Sequence, residues 1–281
     1  MLTIPEIQKI STQVRRDVLR MTHGAASGHP GGSLGCSDFL TMLYFDIMKP
    51  DPENFTMKGK GEDVFFLSNG HLSPVWYSVL ARYGYLPLND LGSFRKLGSK
   101  LQGHPSSHDG PPGIRISSGS LGQGLSVAAG MALSKKMDKD EHLVYCLTGD
   151  GELQEGQNWE ALMFAAAREI DNLIAVVDYN GQQIDGPVEK VVGLGDLKAK
   201  MSAFGWLVIE MDGHDLEMMR EKMRLAKTMT GKGKPVMVLM KTHMGYGVDF
   251  MLDNHEWHGT PPNDEQLMKA LAQIPETLGD Y

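Results

Sequence analysis

The sequence predicts an α/β fold, a mostly parallel sheet flanked by helices, built as a single domain over residues 1–281. Three observations predict it. Apolar runs of strand length alternate with helical segments of about ten residues, the pattern of βαβ units. Two of these strands end in oxygen-bearing residues: 143–147 runs into Gly149-Asp150-Gly151, and 173–177 into Asp178-Tyr179-Asn180. Such ends, side by side, are where open parallel sheets bind ligands. Finally, a chain of 281 residues with 41% hydrophobic content readily supplies one sizeable core.

The elements follow in order. Thr3 and Glu6 stand at capping-box spacing with Pro5 in the first turn, so a helix starts there. Ile7, Ile10, Val14, Val18 and Leu19 give it an apolar stripe toward Thr22. A Gly-rich loop, 28–35, is expected to end it, and a second helix covers 37–47. Residues 51–61 form a polar connector. A short strand, 64–67, delivers Ser68-Asn69-Gly70-His71 at its end. A helix over 73–83 follows, and a shorter one begins near Asn89. Residues 101–118 are rich in Gly, Pro, His and Ser without periodicity; a loop that long inside a compact domain is usually functional or disordered, and its motifs favour function. A helix over 125–136 precedes the central βαβ unit, whose own helix covers 158–169. Beyond Gly186 come a helix (197–204), a strand (207–211), a helix (216–228), a strand (236–240) and a closing helix (264–272).

Composition narrows the class. A net charge of −8 argues against nucleic acid as a partner, because phosphate backbones recruit clustered Lys and Arg. The pairs Arg15-Arg16 and Lys135-Lys136 read as solvated helix faces. Two cysteines, Cys36 and Cys146, are too few for a disulfide framework and read as packing residues. The N-terminus lacks a basic-then-apolar signal pattern and no apolar run reaches membrane-spanning length, so a soluble cytoplasmic protein without a membrane partner is expected. The nineteen methionines are core or interface filler.

The two strand ends carry specific chemistry. Asp150 offers a carboxylate, Asn180 a carbonyl oxygen and Gly151 an approachable N–H. A small hard cation such as Mg²⁺ takes few protein oxygens and fills its octahedron with diphosphate oxygens and water. Histidines in Gly/Pro/Asn-flanked loops (His29, His71, His104, His255) add groups able to exchange protons near neutral pH. A lone histidine is more often a surface or satisfied core residue, the reading kept for His23, His108, His142 and His214; His258 stays undecided.

From Leu147 to Gly186 the chain reads LTGDGELQEGQNWEALMFAAAREIDNLIAVVDYNGQQIDG, which resembles the thiamine-diphosphate motif of transketolases. Ser27-Gly28-His29-Pro30-Gly31, Ser68-Asn69-Gly70-His71, Gly103-His104-Pro105 with Ser118-Gly119-Ser120-Leu121-Gly122-Gln123-Gly124, and His255-Glu256-Trp257-His258-Gly259 match that family in order. The resemblance implies thiamine diphosphate as cofactor with Mg²⁺, or Ca²⁺ or Mn²⁺ in its place. It implies Asp150 and Asn180 as side-chain metal ligands and the Gln182 carbonyl as a third. Gly149, Asp150 and Gly151 with His71 and His255 would hold the diphosphate, Gly119 and Leu121 would flank the aminopyrimidine, and Ile184 would touch the cofactor rings. His29, His71, His104 and His255 would line the substrate funnel. Glu155, and less so Glu160, match glutamates that relay protons across a subunit interface, although Glu155 also suits a helix N-terminus. Ser120 departs from the usual Pro and Ala26 from the usual Asn; neither removes a metal or diphosphate ligand.

The resemblance covers only the first of the family's three domains. It therefore implies the N-terminal subunit of a split transketolase, with the pyrimidine-binding domain on a partner chain and two copies of each in a heterotetramer. The expected reaction moves a two-carbon ketol unit between sugar phosphates, in the manner of the pentose phosphate pathway. Alternatives are a specialised enzyme for a branched or sulfonated sugar, and the alpha subunit of a 2-oxoacid dehydrogenase, against which the Ser-Gly-His-Pro-Gly and Gly-His-Pro loops stand. A degenerate, non-catalytic homologue would have no need of Asp150, Asn180 and the funnel histidines together.

Overall fold

The computed structural model describes residues 2–281. The strands are β1 (Val64–Leu67), β2 (Val144–Gly149), β3 (Leu173–Tyr179), the two-residue β4 (Gln182–Gln183) and β5 (Gly186–Pro187), β6 (Leu207–Asp212) and β7 (Val236–Lys241). Five of them form a parallel sheet in the order β1-β2-β3-β7-β6, while β4 and β5 pair antiparallel on their own. The helices are α1 (Ile4–Gly24), α2 (Pro30–Gly35), α3 (Ser37–Met42), α4 (Ser73–Tyr83), α5 (Gly124–Met137), α6 (Gly156–Ala167), α7 (Val188–Val192), α8 (Leu197–Ala203), α9 (Leu216–Met229) and α10 (Asp264–Gln273).

β1, β2 and β3 are buried almost along their whole length, as a sheet covered on both faces requires. β6 is different: Ile209 and Met211 are buried while Glu210 and Asp212 face solvent. Register follows from these runs. Leu67 pairs with Leu147, Gly149 with Asp178, and Tyr179 with Lys241, so the ends of β1, β2, β3 and β7 lie along one rim. α1 starts as its sequence dictates. The Thr3 side chain accepts from Glu6 N–H, and Glu6 accepts from Thr3 N–H at 2.7 Å. Its stripe of Ile7, Val14, Val18 and Leu19 is fully buried.

Two expectations are corrected. The 28–35 segment is not wholly loop, because Pro30–Gly35 is helical. Pro30 begins α2, where its missing N–H costs nothing. The glycines serve close packing: a Cβ on Gly31 would sit 2.8 Å from the Trp257 carbonyl oxygen, and one on Gly35 2.8 Å from that of His243. The basic pairs are not solvated faces either. Arg15 is buried against Asp38 at 2.5 Å, and Arg16 binds Asp280 and the carbonyls of Leu271 and Ile274. Lys135 is buried on the carbonyls of Gly59 and Glu62 and on Asp140, leaving only Lys136 toward solvent. These side chains clamp helix to loop, which a helical pattern alone does not reveal. The second expected helix is α3 continued by a π-helical turn, Leu43–Ile47, and α7 and the β4–β5 pair add to the expected elements.

Burial pushes the Asp38 carboxyl up, but Arg15 and His214 together hold it at about 2. Removing one partner of such a pair strands the other charge. Arg15→Met is expected to destabilise the fold by roughly 3 kcal/mol or more, and the double change Arg15→Met/Asp38→Leu to recover part of that loss. Urea midpoints of the three proteins check this; equal midpoints for the single and double variants would contradict it.

Candidate active site

The rim of the sheet brings the two oxygen-bearing ends together. Asp150 N–H donates to the Asp178 carbonyl (3.1 Å), continuing the β2–β3 ladder by one step. The Asp150 carboxylate accepts from Gly151 N–H (2.8 Å) and Gly181 N–H (2.6 Å), so it is held across the gap between the strands. Asn180 donates from Nδ2 to the Asp178 carboxylate (2.9 Å), and its Oδ1 accepts from Gln182 N–H (2.8 Å). The Gln182 carbonyl oxygen lies 4.0 Å from where a Gly151 Cβ would be. Asp178 is further bound by the Thr242 hydroxyl and the Cys36 thiol.

The electrostatics of this corner are unbalanced. Burial, and then the nearby Asp178, push the Asp150 carboxyl up to about 7. Burial raises Asp178 as well. Among the described residues no Lys or Arg is ion-paired to either carboxylate, nor do three His, Cys, Asp or Glu side chains form a metal cluster. Two buried carboxylates with an amide oxygen and a backbone carbonyl beside them suit a hard cation with oxygen ligands. Asn69 faces the same hollow with its Oδ1 buried and unpartnered, one more polar atom awaiting a ligand. The hollow holds about 260 Å³ and is bounded by His71, Leu121, Asp150, Asn180, Ile184 and His258 among others.

Four imidazoles form one wall. His29 lies 5.2 Å from His71, 5.9 Å from His104 and 5.5 Å from His258, ring centre to ring centre, and His71 lies 4.8 Å from His258. Burial and then the neighbouring His258, His104 and Arg95 hold His29 down to about 3; burial also lowers His71, His104 and His258. All four are therefore neutral at pH 7, each with one nitrogen to donate and one to accept. The Nδ1 atoms of His29 and His258 are buried without partners. Gly119 is needed behind this wall, since at φ 136° a Cβ there would lie 2.9 Å from the His104 ring.

The expected residues are distributed unevenly. Asp150, Asn180, Gln182, Gly149, Gly151, Leu121, Ile184, Glu155 and His71 line the hollow, with His29, His104 and Gly119 adjoining it. His255 does not join the imidazole wall. It lies in the 3-10 turn His255–Trp257 and lines a neighbouring hollow with Ile184 and Gln266, while His258, just past that turn, takes the place in the wall. Glu155 is exposed at the N-cap of α6 with no side-chain capping bond, and Glu160 is exposed on α6. Ala26 stands at φ 46°, a conformation Asn tolerates better than Ala, so the usual Asn there has a backbone reason as well.

Sequence reasoning missed Glu152, Asp178 and Asn69 as individual contributors. Glu152 is buried and accepts from Ser68 Oγ (2.5 Å), Gly122 N–H (2.7 Å) and Gly149 N–H (3.1 Å). Its position two residues past Asp150 was the only signal available. The other histidines have local partners: His23 with Asp264, His108 with Asp109 and His142 with Asp140, while His214 stacks on Tyr246 and binds Asp38. Both cysteines are buried.

Comparison with known proteins bears on this geometry. Residues 7–275 match the family described as "Transketolase, thiamine diphosphate binding domain". The chain is 36% identical over 277 residues to an apulose-4-phosphate transketolase subunit from Phocaeicola vulgatus, covering 99% of this chain and 96% of the relative. It is 38% identical over 269 residues to the 6-deoxy-6-sulfo-D-fructose transketolase subunit SqwG of a Clostridium species, covering 96% of each. Among solved structures, a transketolase from Leishmania mexicana superposes with a TM-score of 0.90 at 30% identity, over 100% of this chain and 42% of that one. The chain thus spans about two-fifths of that longer protein.

Two pH dependences follow from the site. The folded chain holds His29 well below its ordinary 6.5, so it binds fewer protons there than the unfolded chain. That contribution to stability is complete above about pH 6.5 and is lost as pH falls toward about 3. His29→Asn is expected to flatten the acid side of a plot of urea midpoint against pH; an unchanged slope would contradict the depressed pKa. Asp150 has the opposite sign. Its stabilising contribution is complete below about 3.8 and is lost as pH rises through about 7. In the presence of a chelator, Asp150→Asn is expected to be more urea-resistant than the parent near pH 8, with the advantage shrinking toward pH 4. Equal midpoints throughout would show that the carboxylate carries no such strain.

Proposed function

The chain belongs to the transketolase family, and from that premise we propose that it is the diphosphate-binding subunit of a two-chain transketolase moving a two-carbon ketol unit between sugar phosphates. The observation that carries this reading is the corner itself: Asp150 and Asn180 on adjacent strand ends, beside a wall of neutral imidazoles. Thiamine diphosphate, when bound, supplies the carbon nucleophile and electron sink that ketol transfer needs. The residues present fit it. Asp150, Asn180 Oδ1 and the Gln182 carbonyl would hold Mg²⁺, or Ca²⁺ or Mn²⁺, and Gly151 N–H would turn to the diphosphate. Gly119 and Leu121 would flank the ring side.

The histidines would manage substrate protons. Neutral His29, His71, His104 and His258 offer N–H donors to a substrate oxygen and bare nitrogens to its hydroxyls. On this geometry His258, rather than His255, acts with the other three. Glu155, exposed at the rim, is placed to meet a partner subunit.

A second polypeptide is part of the proposal. Val127 on α5 and Met163 and Phe164 on α6 are all exposed, on two helices that pack against each other. An apolar face of this kind supports docking of another subunit. The relatives' designation as subunits, at nearly the same length as this chain, supports it too. We place the pyrimidine-binding domain on that partner and infer a heterotetramer with two copies of each chain. The relatives named for apulose 4-phosphate and 6-deoxy-6-sulfo-D-fructose favour a specific second reading, in which the donor is a branched or sulfonated sugar. A cytoplasmic location is consistent with sugar phosphate substrates. Among the described residues no helix is long and apolar enough to cross a membrane.

The test is reconstitution. The chain should co-purify with a stoichiometric pyrimidine-domain subunit. The pair, given thiamine diphosphate and a divalent metal, should transfer ketol units to ribose 5-phosphate. A panel of ordinary, branched and sulfonated ketose donors separates the two readings. Turnover by the rigorously pure chain, or a competent pair that uses no ketose, would overturn the proposal. Asp150→Ala is expected to abolish turnover together with metal-dependent cofactor retention; retention of both would remove Asp150 from the metal site.

A further inference from the structure

Glu152 is a buried carboxylate with no cationic side chain among the described residues bonded to it, and each hydrogen bond it accepts comes from a different segment. Ser68 follows β1, Gly122 belongs to the loop that carries Gly119 and Leu121, and Gly149 ends β2 beside Asp150. Ser68 Oγ extends the junction by accepting from Gly124 N–H at 3.0 Å, and a Cβ on Gly124 would lie 2.4 Å from that of Ser68, so the loop is pressed onto the β1 end. The backbone carbonyl of Glu152 is fixed in turn by Asn158 Nδ2 at 2.7 Å.

The three arms are not equivalent. Gly149 is already secured by the β2–β3 register, and Asp150 N–H by the Asp178 carbonyl. The 119–122 turn belongs to no strand or helix, and the acceptor for its Gly122 N–H is Glu152. Gln157 Nε2 also holds this turn, at the Leu121 carbonyl (2.8 Å), so loss of the carboxylate loosens the loop at Gly122 and spares the strand ends.

We propose that Glu152 is a positioning residue that holds the ring-side loop, Gly119 to Gly122, at a fixed separation from the diphosphate corner at Asp150 and Asn180. Its carboxylate oxygens are turned to these hydroxyl and backbone donors, and it acts through them. A cofactor spanning both regions is bound tightly only when the two are set at its own length, whereas a ligand occupying the diphosphate corner alone is indifferent to that spacing. The proposal rests on the thiamine-diphosphate reading above and deepens it.

The test compares two ligands on the assembled two-chain complex by calorimetry: thiamine diphosphate with Mg²⁺, and inorganic pyrophosphate with Mg²⁺. Glu152→Ala is expected to weaken thiamine diphosphate roughly tenfold or more, the scale of lost charge-assisted hydrogen bonds, and to leave pyrophosphate unchanged. Glu152→Gln, which keeps one acceptor oxygen, should show a smaller loss of the same selectivity. Ser68→Ala, which leaves the carboxylate and both glycine donors intact, provides a third variant should Glu152→Ala fail to fold. Faster hydrogen exchange at the Gly122 amide in Glu152→Gln is the cofactor-free readout. Equal loss of both ligands, or of neither, would overturn the positioning role. A parent complex that binds neither ligand would instead overturn the cofactor reading on which it stands.

Discussion

The in-register parallel pairing of β2 with β3 is the constraint on which the site depends. Gly149 opposite Asp178 puts Asp150 one residue and Asn180 two residues beyond the same rung, and the Asp150 N–H continues the ladder into the Asp178 carbonyl. A slip of one residue would turn each side chain to the opposite face of the sheet and break the corner apart. The strands are pinned by core on both faces, with Cys146, Leu147, Val176 and Val177 almost wholly buried. The ligand-binding geometry is thus set by hydrophobic packing some distance beneath it.

That precision has an electrostatic cost. Asp150 and Asp178 are kept close and buried, with no Lys or Arg among the described residues ion-paired to them, and the imidazole wall is kept neutral against its own titration. Both arrangements oppose folding over part of the pH range and become useful only when something binds. The unpartnered Asn69 Oδ1 and the Nδ1 atoms of His29 and His258 tell the same story in hydrogen bonds. Buried polar atoms are seldom left unsatisfied, and here they collect around a single hollow and its histidine wall.

Much of this was legible in the sequence because the sheet is made of continuous apolar runs that end in polar turns. The main strands fell where their patterns placed them, and Asp150 and Asn180 could be paired from strand ends alone. What escaped depended on partners far away in sequence. Asp178 is recognised by Thr242 and Cys36, and Glu152 by Ser68 and Gly122, none of which a local pattern can connect. The glycines before Gly35 looked like loop but serve close packing in a helix, a distinction visible only once the 243–257 backbone is laid across them. His255 and His258 lie in one short motif, and the turn between them decides which enters the wall.

The sheet's open edge at β6 has a bearing on assembly. Its outward positions carry Glu210 and Asp212, and Lys198 reaches Glu210 across the rim. Charges on an edge discourage another strand from adding to it. Exposed apolar side chains sit instead on helices, among them Val127 and Met137 on α5 and Met163 and Phe164 on α6. A surplus of this chain without its partner is therefore hindered from growing strand by strand at this edge, which works against fibrous aggregates when the two chains are produced unequally.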